Sequence, residues 1–294
     1  MKPRHVALAV LAALIWGSNF VVIKLGLGRY PPLLFSALRF ACAALVLPAF
    51  PRPRVGWARL ILLGLVLFAC QFGCLFLGMA HGMPPGLASV TAQTQAFLTG
   101  LFAAAFLGER PTGRQVLGTA VAFTGLALIG STVGGDMTWA GLLFTLGAAT
   151  SWATGNILLK QLGQVDMLAL VVWMALIPPL PLLLLSLAVD GPARVAGALF
   201  HPTWVGILAV LFNGILATVV GFGIWAHLLR RYPAATVAPF SLLVPTVGMA
   251  SAAIVFGERL GPARLAGTLL IVAGLAVLVL FRPRALVSVP LADA

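Results

Sequence analysis

Charge is scarce in this sequence: 8% of its 294 residues are Asp, Glu, Lys or Arg, and only 6 are acidic, where a soluble domain carries about 25% charged residues. A soluble fold must cover its outside with polar groups, so this scarcity excludes one. Cysteine is nearly as rare. Cys42, Cys70 and Cys74 all lie inside apolar segments, which speaks against a disulfide framework. Cys70 and Cys74 share a helix face but read as small packing residues, because His81 is the only other candidate ligand nearby. No metal site and no cofactor are expected.

Enzyme signatures are missing too. There is no His-Glu-x-x-His, no Gly-x-Ser-x-Gly and no phosphate-binding Gly-x-x-x-x-Gly-Lys loop. Glu109, Asp136, Asp166, Asp190, Glu258 and Asp293 fall at helix ends, in loops or in the tail. An intramembrane hydrolase would need such groups at depth, so no catalytic residue is expected. The first apolar stretch lacks an Ala-x-Ala-like exit, and no cleavable signal is expected.

What the chain does have is apolar length: 61% of residues are hydrophobic and the mean hydropathy is +1.10. A membrane span needs about 20 apolar residues. Ten segments qualify, near 5-26, 32-50, 58-80, 85-107, 114-132, 138-160, 166-189, 203-228, 234-256 and 262-281, leaving one sizeable loop at 190-202. The net charge of +12 is scattered between these segments, so the expected partner is the lipid bilayer and no nucleic acid is expected. With the N-terminus inside, Lys2, Arg4, Arg52, Arg54, Arg59, Arg110, Arg114, Lys160, Arg230, Arg231, Arg282 and Arg284 share one side. Lys24, Arg29, Arg194, Arg259 and Arg264 fall on the other, and Arg39 lies within the second span. That bias predicts cytoplasmic termini in an inner, or plasma, membrane.

An internal repeat decides the architecture. LGER at 107-110 answers FGER at 256-259; Gly118, Gly125 and Pro84 answer Gly267, Gly274 and Pro233, all 149 residues on. WGSNFVVIK at 16-24 answers WATGNILLK at 152-160, 136 residues on, so the second half carries about thirteen extra residues, placed in the 190-202 loop. Each half holds five spans, an odd number, so the copies enter the membrane from opposite sides. The prediction is an all-α polytopic membrane protein of ten transmembrane helices in two inverted five-helix repeats, 1-134 and 135-284, followed by a cytoplasmic tail, 285-294. Such pairs form a midplane substrate site, reached alternately from either side.

Polar residues inside spans are the binding candidates, because burying an amide or hydroxyl without a partner costs roughly 2-7 kcal/mol. Trp16 with Asn19 and Trp152 with Asn156 each place an aromatic ring and an amide on one helix face. These amides either bind substrate or bond across the interface between halves. Gln71, Gln93 and His81 complete the set. Gln93 and Gln95 point to different faces, so at most one lines a cavity. No span carries a carboxylate for proton coupling, so facilitated transport fits the residues better, with His81 and His227 as the titratable alternatives. Pro178, Pro239 and Pro245 mark hinges or simple bends. The paired glycines read as a helix-packing seam, with a homodimer seam as the other use and a monomer favoured.

WGSNFVVIKLGL, MPPGLASVTAQTQAFLTG, LGERPTGRQ, SWATGNILLK, VVGFGIWAHLLRRYPAATVAPFSLLVPTVG and FGERL together resemble the EamA family of the drug/metabolite transporter superfamily, over nearly the whole chain. The resemblance implies ten helices in two inverted repeats and a cavity lined by helices one, three, four, six, eight and nine. It implies export of amino acids or similar metabolites, with Thr, Met, Cys and aromatic residues as substrates to test. Small multidrug relatives in the superfamily use a membrane-embedded Glu in the first helix. Ser18 and Asn19 stand there instead, so that proton exchange does not carry over. A drug or other small-metabolite carrier is the alternative; an intramembrane enzyme or a membrane scaffold would be the readings outside transport.

Overall fold

The structure, a computed structural model, describes residues 1-163 and 165-280. The expected tail 285-294, the end of the last span at Phe281, and Arg282, Arg284 and Asp293 lie outside the described residues. Nine described helices are long and apolar enough to cross a membrane: Pro3–Leu27, Pro32–Ala49, Trp57–Ala80, Pro85–Leu107, Trp139–Lys160, Met167–Asp190, Trp204–Leu229, Ala238–Phe256 and Pro262–Leu280. Gly113–Gly130 is the fifth in chain order, so these nine are numbered first to fourth and sixth to tenth. Arg114 and Gln115 in its first turn make it less apolar, yet it runs from the face of Glu109 to the face of Asp136. No strand occurs among the described residues. Large apolar side chains such as Leu184, Leu185, Ile254 and Leu269 are exposed around the outside, as lipid contact requires. The chain is thus a multi-pass helical membrane protein.

The segment expected as a loop at 190-202 is instead mostly a helix, Pro192–Phe200. Gly191 turns the chain with φ +82°, and Pro192 occupies the first helical position. Its missing N–H and fixed φ start a helix cheaply, a signal outweighed in the sequence by the Gly-Pro pair that reads as a turn.

The fifth and tenth helices form the most extensive seam in the molecule. A Cβ on Gly118 would lie 3.0 Å from Gly274 O, and one on Gly125 would lie 2.5 Å from Gly267 O. The reverse also holds, with 2.6 Å from Gly267 to Gly125 O and 2.5 Å from Gly274 to Gly118 O. Each glycine therefore meets the repeat counterpart of the other, the reciprocal pattern of a two-fold axis acting within one chain. The paired glycines form an intramolecular seam, which leaves no face of theirs for a homodimer.

Helix irregularities follow the same symmetry. The third helix is π-helical over Gly64–Cys70 and the eighth over Phe212–Val220. The fourth breaks at Ala92 and Gln93, and the ninth opens with the helical turn Ala234–Val237 after Pro233 and then narrows to 3-10 over Ala238–Leu242, containing Pro239. The seventh breaks between Met174 and Pro179, beside Pro178. Gly108 and Gly257 end the fourth and ninth helices in the left-handed region, both with φ +66°, which glycine adopts without a Cβ penalty.

Leucine at Gly125 is expected to lower the melting temperature of the detergent-solubilised protein through overpacking of about 1-3 kcal/mol. Gly100→Leu is the control, since a Cβ there meets nothing within 4 Å. Equal loss in both variants would show that the seam is not tightly packed.

Candidate functional site

Water is absent at membrane depth, so a π-helical segment must find partners for the carbonyls its ladder leaves loose. Here each repeat supplies them to the other. Trp16 Nε1 of the first helix donates to Ala217 O in the eighth (2.9 Å), and Ser151 Oγ of the sixth donates to Val66 O in the third (2.7 Å). Gly221 makes the first contact possible, because a Cβ there would lie 2.6 Å from Trp16 Nε1.

These bonds draw an aromatic band into the centre. Phe222 lies 5.3 Å from Trp16, 6.3 Å from Trp152 and 6.5 Å from Phe68, ring to ring. Phe72 lies 6.4 Å from Trp152. The band thus joins the first, third, sixth and eighth helices, and the two predicted tryptophans both belong to it.

The predicted amides divide. Asn19 and Gln71 are buried, and Asn19 Oδ1 and Gln71 Oε1 have no hydrogen-bond partner. Buried acceptors are rarely left so. Asn156 Nδ2 instead donates to Gln95 Oε1 (3.3 Å) and Thr99 Oγ1 (3.1 Å), tying the sixth helix to the fourth. Gln95 is therefore the glutamine that joins helices, and Gln93 sits half-buried at the break of the fourth. His81 stands apart: it is exposed at the end of the third helix, where Nδ1 bonds Leu77 O (2.8 Å) and its backbone carbonyl accepts from Thr138 Oγ1. Pro245 is buried in the ninth helix, and its carbonyl accepts from Ser89 Oγ of the fourth (3.4 Å).

Sequence reasoning passed over Arg39. Its side chain is 2% exposed, and it has no carboxylate partner among the described residues. Nε and Nη2 donate to Thr218 Oγ1 (3.3 and 3.1 Å), and Nη1 donates to Asn213 Oδ1 (3.4 Å). The guanidinium also lies 3.7 Å from the centre of the Phe72 ring, a cation–π contact strengthened by desolvation. Asn213 and Thr218 belong to the π-helical segment of the eighth helix. Arg39 thus fastens the second helix to that segment and to the aromatic band. The available signal was a single arginine inside an apolar run, which is a functional candidate by default.

Charged groups otherwise sit at the two faces. On the face of the N-terminus, Lys160 pairs with Glu109, and Arg230 lies 3.5 Å from Asp166. On the opposite face, Glu258 Oε2 accepts from Gly86 N–H (3.0 Å), while Lys24 Nζ donates to Met79 O (3.2 Å). Burial pushes the Glu258 carboxyl up, against the pull of the Gly86 N–H and of nearby Lys24. Arg264 grips Asp136 with both Nη atoms (2.9 and 2.7 Å) and holds its carboxyl below the usual carboxylate range.

A central band of rings and amides, wrapped by helices that are irregular at matching positions of two repeats, is the arrangement of a multi-pass membrane transporter. The chain matches the EamA-like transporter family over residues 4-131 and 139-280 and belongs to it. It is 44% identical over 287 residues to a Salmonella typhimurium protein named probable amino-acid metabolite efflux pump, with 94% of each chain covered. An Escherichia coli protein of the same name is 42% identical over the same length, again with 94% of each covered. One crystal structure superposes with a TM-score of 0.65 at 20% identity, covering 95% of this chain and 98% of that one, and shares the fold.

Arg39 and Asn213 give a test of this core. Asn213→Leu leaves a buried guanidinium donor unmade, at a cost of about 1-3 kcal/mol. Arg39→Met together with Asn213→Leu removes both partners and is expected to melt at a higher temperature than Asn213→Leu alone. The reverse order would show that the cage does not bear on the charge.

Proposed function

We propose that this protein exports amino acids or amino-acid-like metabolites across a bacterial inner membrane by alternating access, through ten spans with both termini cytoplasmic. The observation that carries the substrate class is the pair of unpartnered buried oxygens, Asn19 Oδ1 and Gln71 Oε1. Both are acceptors, suited to an ammonium group, and they belong to helices that contribute Trp16, Phe68 and Phe72 to the aromatic band. A zwitterion with an apolar side chain is served by amide acceptors for its ammonium group and by aromatic rings for its side chain. The named activity of the two relatives points the same way. The excess of Lys and Arg on the N-terminal side supports cytoplasmic termini. The fifth helix, Gly113–Gly130, brings the count of spans to ten because it packs face to face with its repeat partner.

Flux of radiolabelled Thr, Met, Cys and Phe into proteoliposomes, with and without an imposed pH gradient, tests the reading. Saturable flux without the gradient is expected. No flux in either condition from folded protein would overturn the amino-acid assignment in favour of a drug or other small-metabolite cargo. Asn19→Ala is expected to cut flux by about tenfold, the loss of one hydrogen bond to a charged group, with unchanged membrane abundance. Loss of folded protein instead would make Asn19 a packing residue.

A further inference from the structure

The two repeats differ at one pair of symmetry-related carboxylates. Glu109 and Glu258 each follow the left-handed glycine that ends their helix, 149 residues apart. Lys160 and Lys24 are counterparts as well, each closing its WGSNFVVIK-type segment. An exact two-fold would give both carboxylates the same partner. Glu109 pairs with Lys160, whereas no ion pair joins Glu258 to Lys24 among the described residues. Glu258 reaches across to the backbone of Gly86, at the start of the other repeat's fourth helix.

This difference coincides with a difference in packing. On the face opposite the N-terminus, Pro85–Thr91 is wholly buried and lies broadly against Leu243–Phe256 of the ninth helix. A Cβ on Gly86 would lie 2.5 Å from Glu258 Oε2 and 3.4 Å from Ala252 Cβ. On the N-terminal face, Thr94–Leu107 rests on the sixth helix and more lightly on the fifth and tenth, with no comparable seam against the ninth among the described residues. Among the described residues, the fourth and ninth helices are therefore closed together at one face only.

We propose that Glu258 and Glu109 are gate carboxylates that exchange partners during the cycle. When its face is closed, the carboxylate accepts from the backbone that opens the facing helix of the other repeat; when its face is open, it pairs with the lysine of its neighbouring helix. The structure holds the state closed at Glu258 and Gly86 and open at Glu109 and Lys160. In the opposite state Glu258 moves from Gly86 to Lys24, and Glu109 leaves Lys160 for the backbone that opens the ninth helix, which follows Pro233 as the fourth follows Pro84. The lysine pairs suit this exchange. Lys160 and Glu109 are about half exposed, with side chains 53% and 48% accessible, and such pairs are weak enough to give up.

This inference rests on the transport reading, so the test separates them. Spin labels at Arg110→Cys and Arg231→Cys, with Cys42, Cys70 and Cys74 replaced by Ser, report the distance across the N-terminal face. Both labelled arginines are exposed. Lys160→Gln frees Glu109 and is expected to shift the distance distribution toward the shorter, closed population by up to about fivefold, the worth of one exposed ion pair. An unchanged distribution would overturn the proposal. Flux adds a second arm. A static ion pair would be rescued by Lys160→Glu combined with Glu109→Lys, whereas the switch predicts that the swap stays transport-deficient, because lysine cannot accept from a backbone N–H. Restored flux would overturn the switch while leaving export standing; absence of flux from the unmodified protein would remove the export reading and leave the distance result to be judged alone.

Discussion

The constraint on which the rest of the structure depends is that lipid offers the backbone no hydrogen-bond partner. A regular helix satisfies its own N–H and C=O groups; an irregular one cannot. This chain is irregular in its third, fourth, seventh, eighth and ninth helices, so each departure must be bound by something from outside. Ser151 and Trp16 bind the two π-helical segments from the opposite repeat. The halves are therefore joined at the very positions where their helices are least regular. Helices can be tilted about such points without opening a hydrogen-bond ladder to lipid, because the ladder is already interrupted and bound.

Burial of Arg39 follows from the same constraint. A guanidinium in hydrocarbon is expensive, and an apolar bundle of this kind offers few oxygens to receive it. The π-helical turn of the eighth helix supplies Thr218 Oγ1 and Asn213 Oδ1, and the aromatic band supplies the Phe72 face. Because Thr218 Oγ1 also donates to Asn213 O (2.8 Å), the arginine, the hydroxyl and the widened turn form one unit. Removing one member leaves the others unsatisfied, which makes the unit a determinant of how the second and eighth helices meet.

The positions of the helices were legible in the sequence because lipid demands long apolar runs, and expected and observed bounds agree within a few residues. The repeat was legible because its glycines and FGER-type ends recur at fixed spacing; the structure gives those glycines backbone contacts that no other residue could make. Of the candidate residues, Trp16 and Trp152 stand out in the sequence by their spacing to an amide, and both lie in the aromatic band around Phe222. The π-helical segments were not legible: Gly64–Cys70 contains no proline and no unusual residue, and its widening depends on Ser151, 85 residues away. His81, singled out in the sequence as a polar residue near a span, lies exposed with Nδ1 on Leu77 O, a placement visible only in three dimensions.

Two identical inverted repeats would have equal energies in their two mirror states, so a preferred state must come from sequence differences between them. One difference lies where the proposed gates close. The fourth helix opens with Pro84, Pro85 and Gly86, and the ninth with Pro233, Ala234 and Ala235. Lack of a Cβ at Gly86 lets the Glu258 carboxylate sit at 3.0 Å from the amide nitrogen, where a methyl would collide with it. The corresponding position of the other repeat is an alanine in the sequence. On the gate reading, glycine at one closure and alanine at the other bias the cycle toward the state sealed next to Gly86. With both termini cytoplasmic, as proposed, that bias keeps the outer face shut until cargo arrives from inside. On the gate reading, one missing methyl group helps to set the direction in which the empty protein waits.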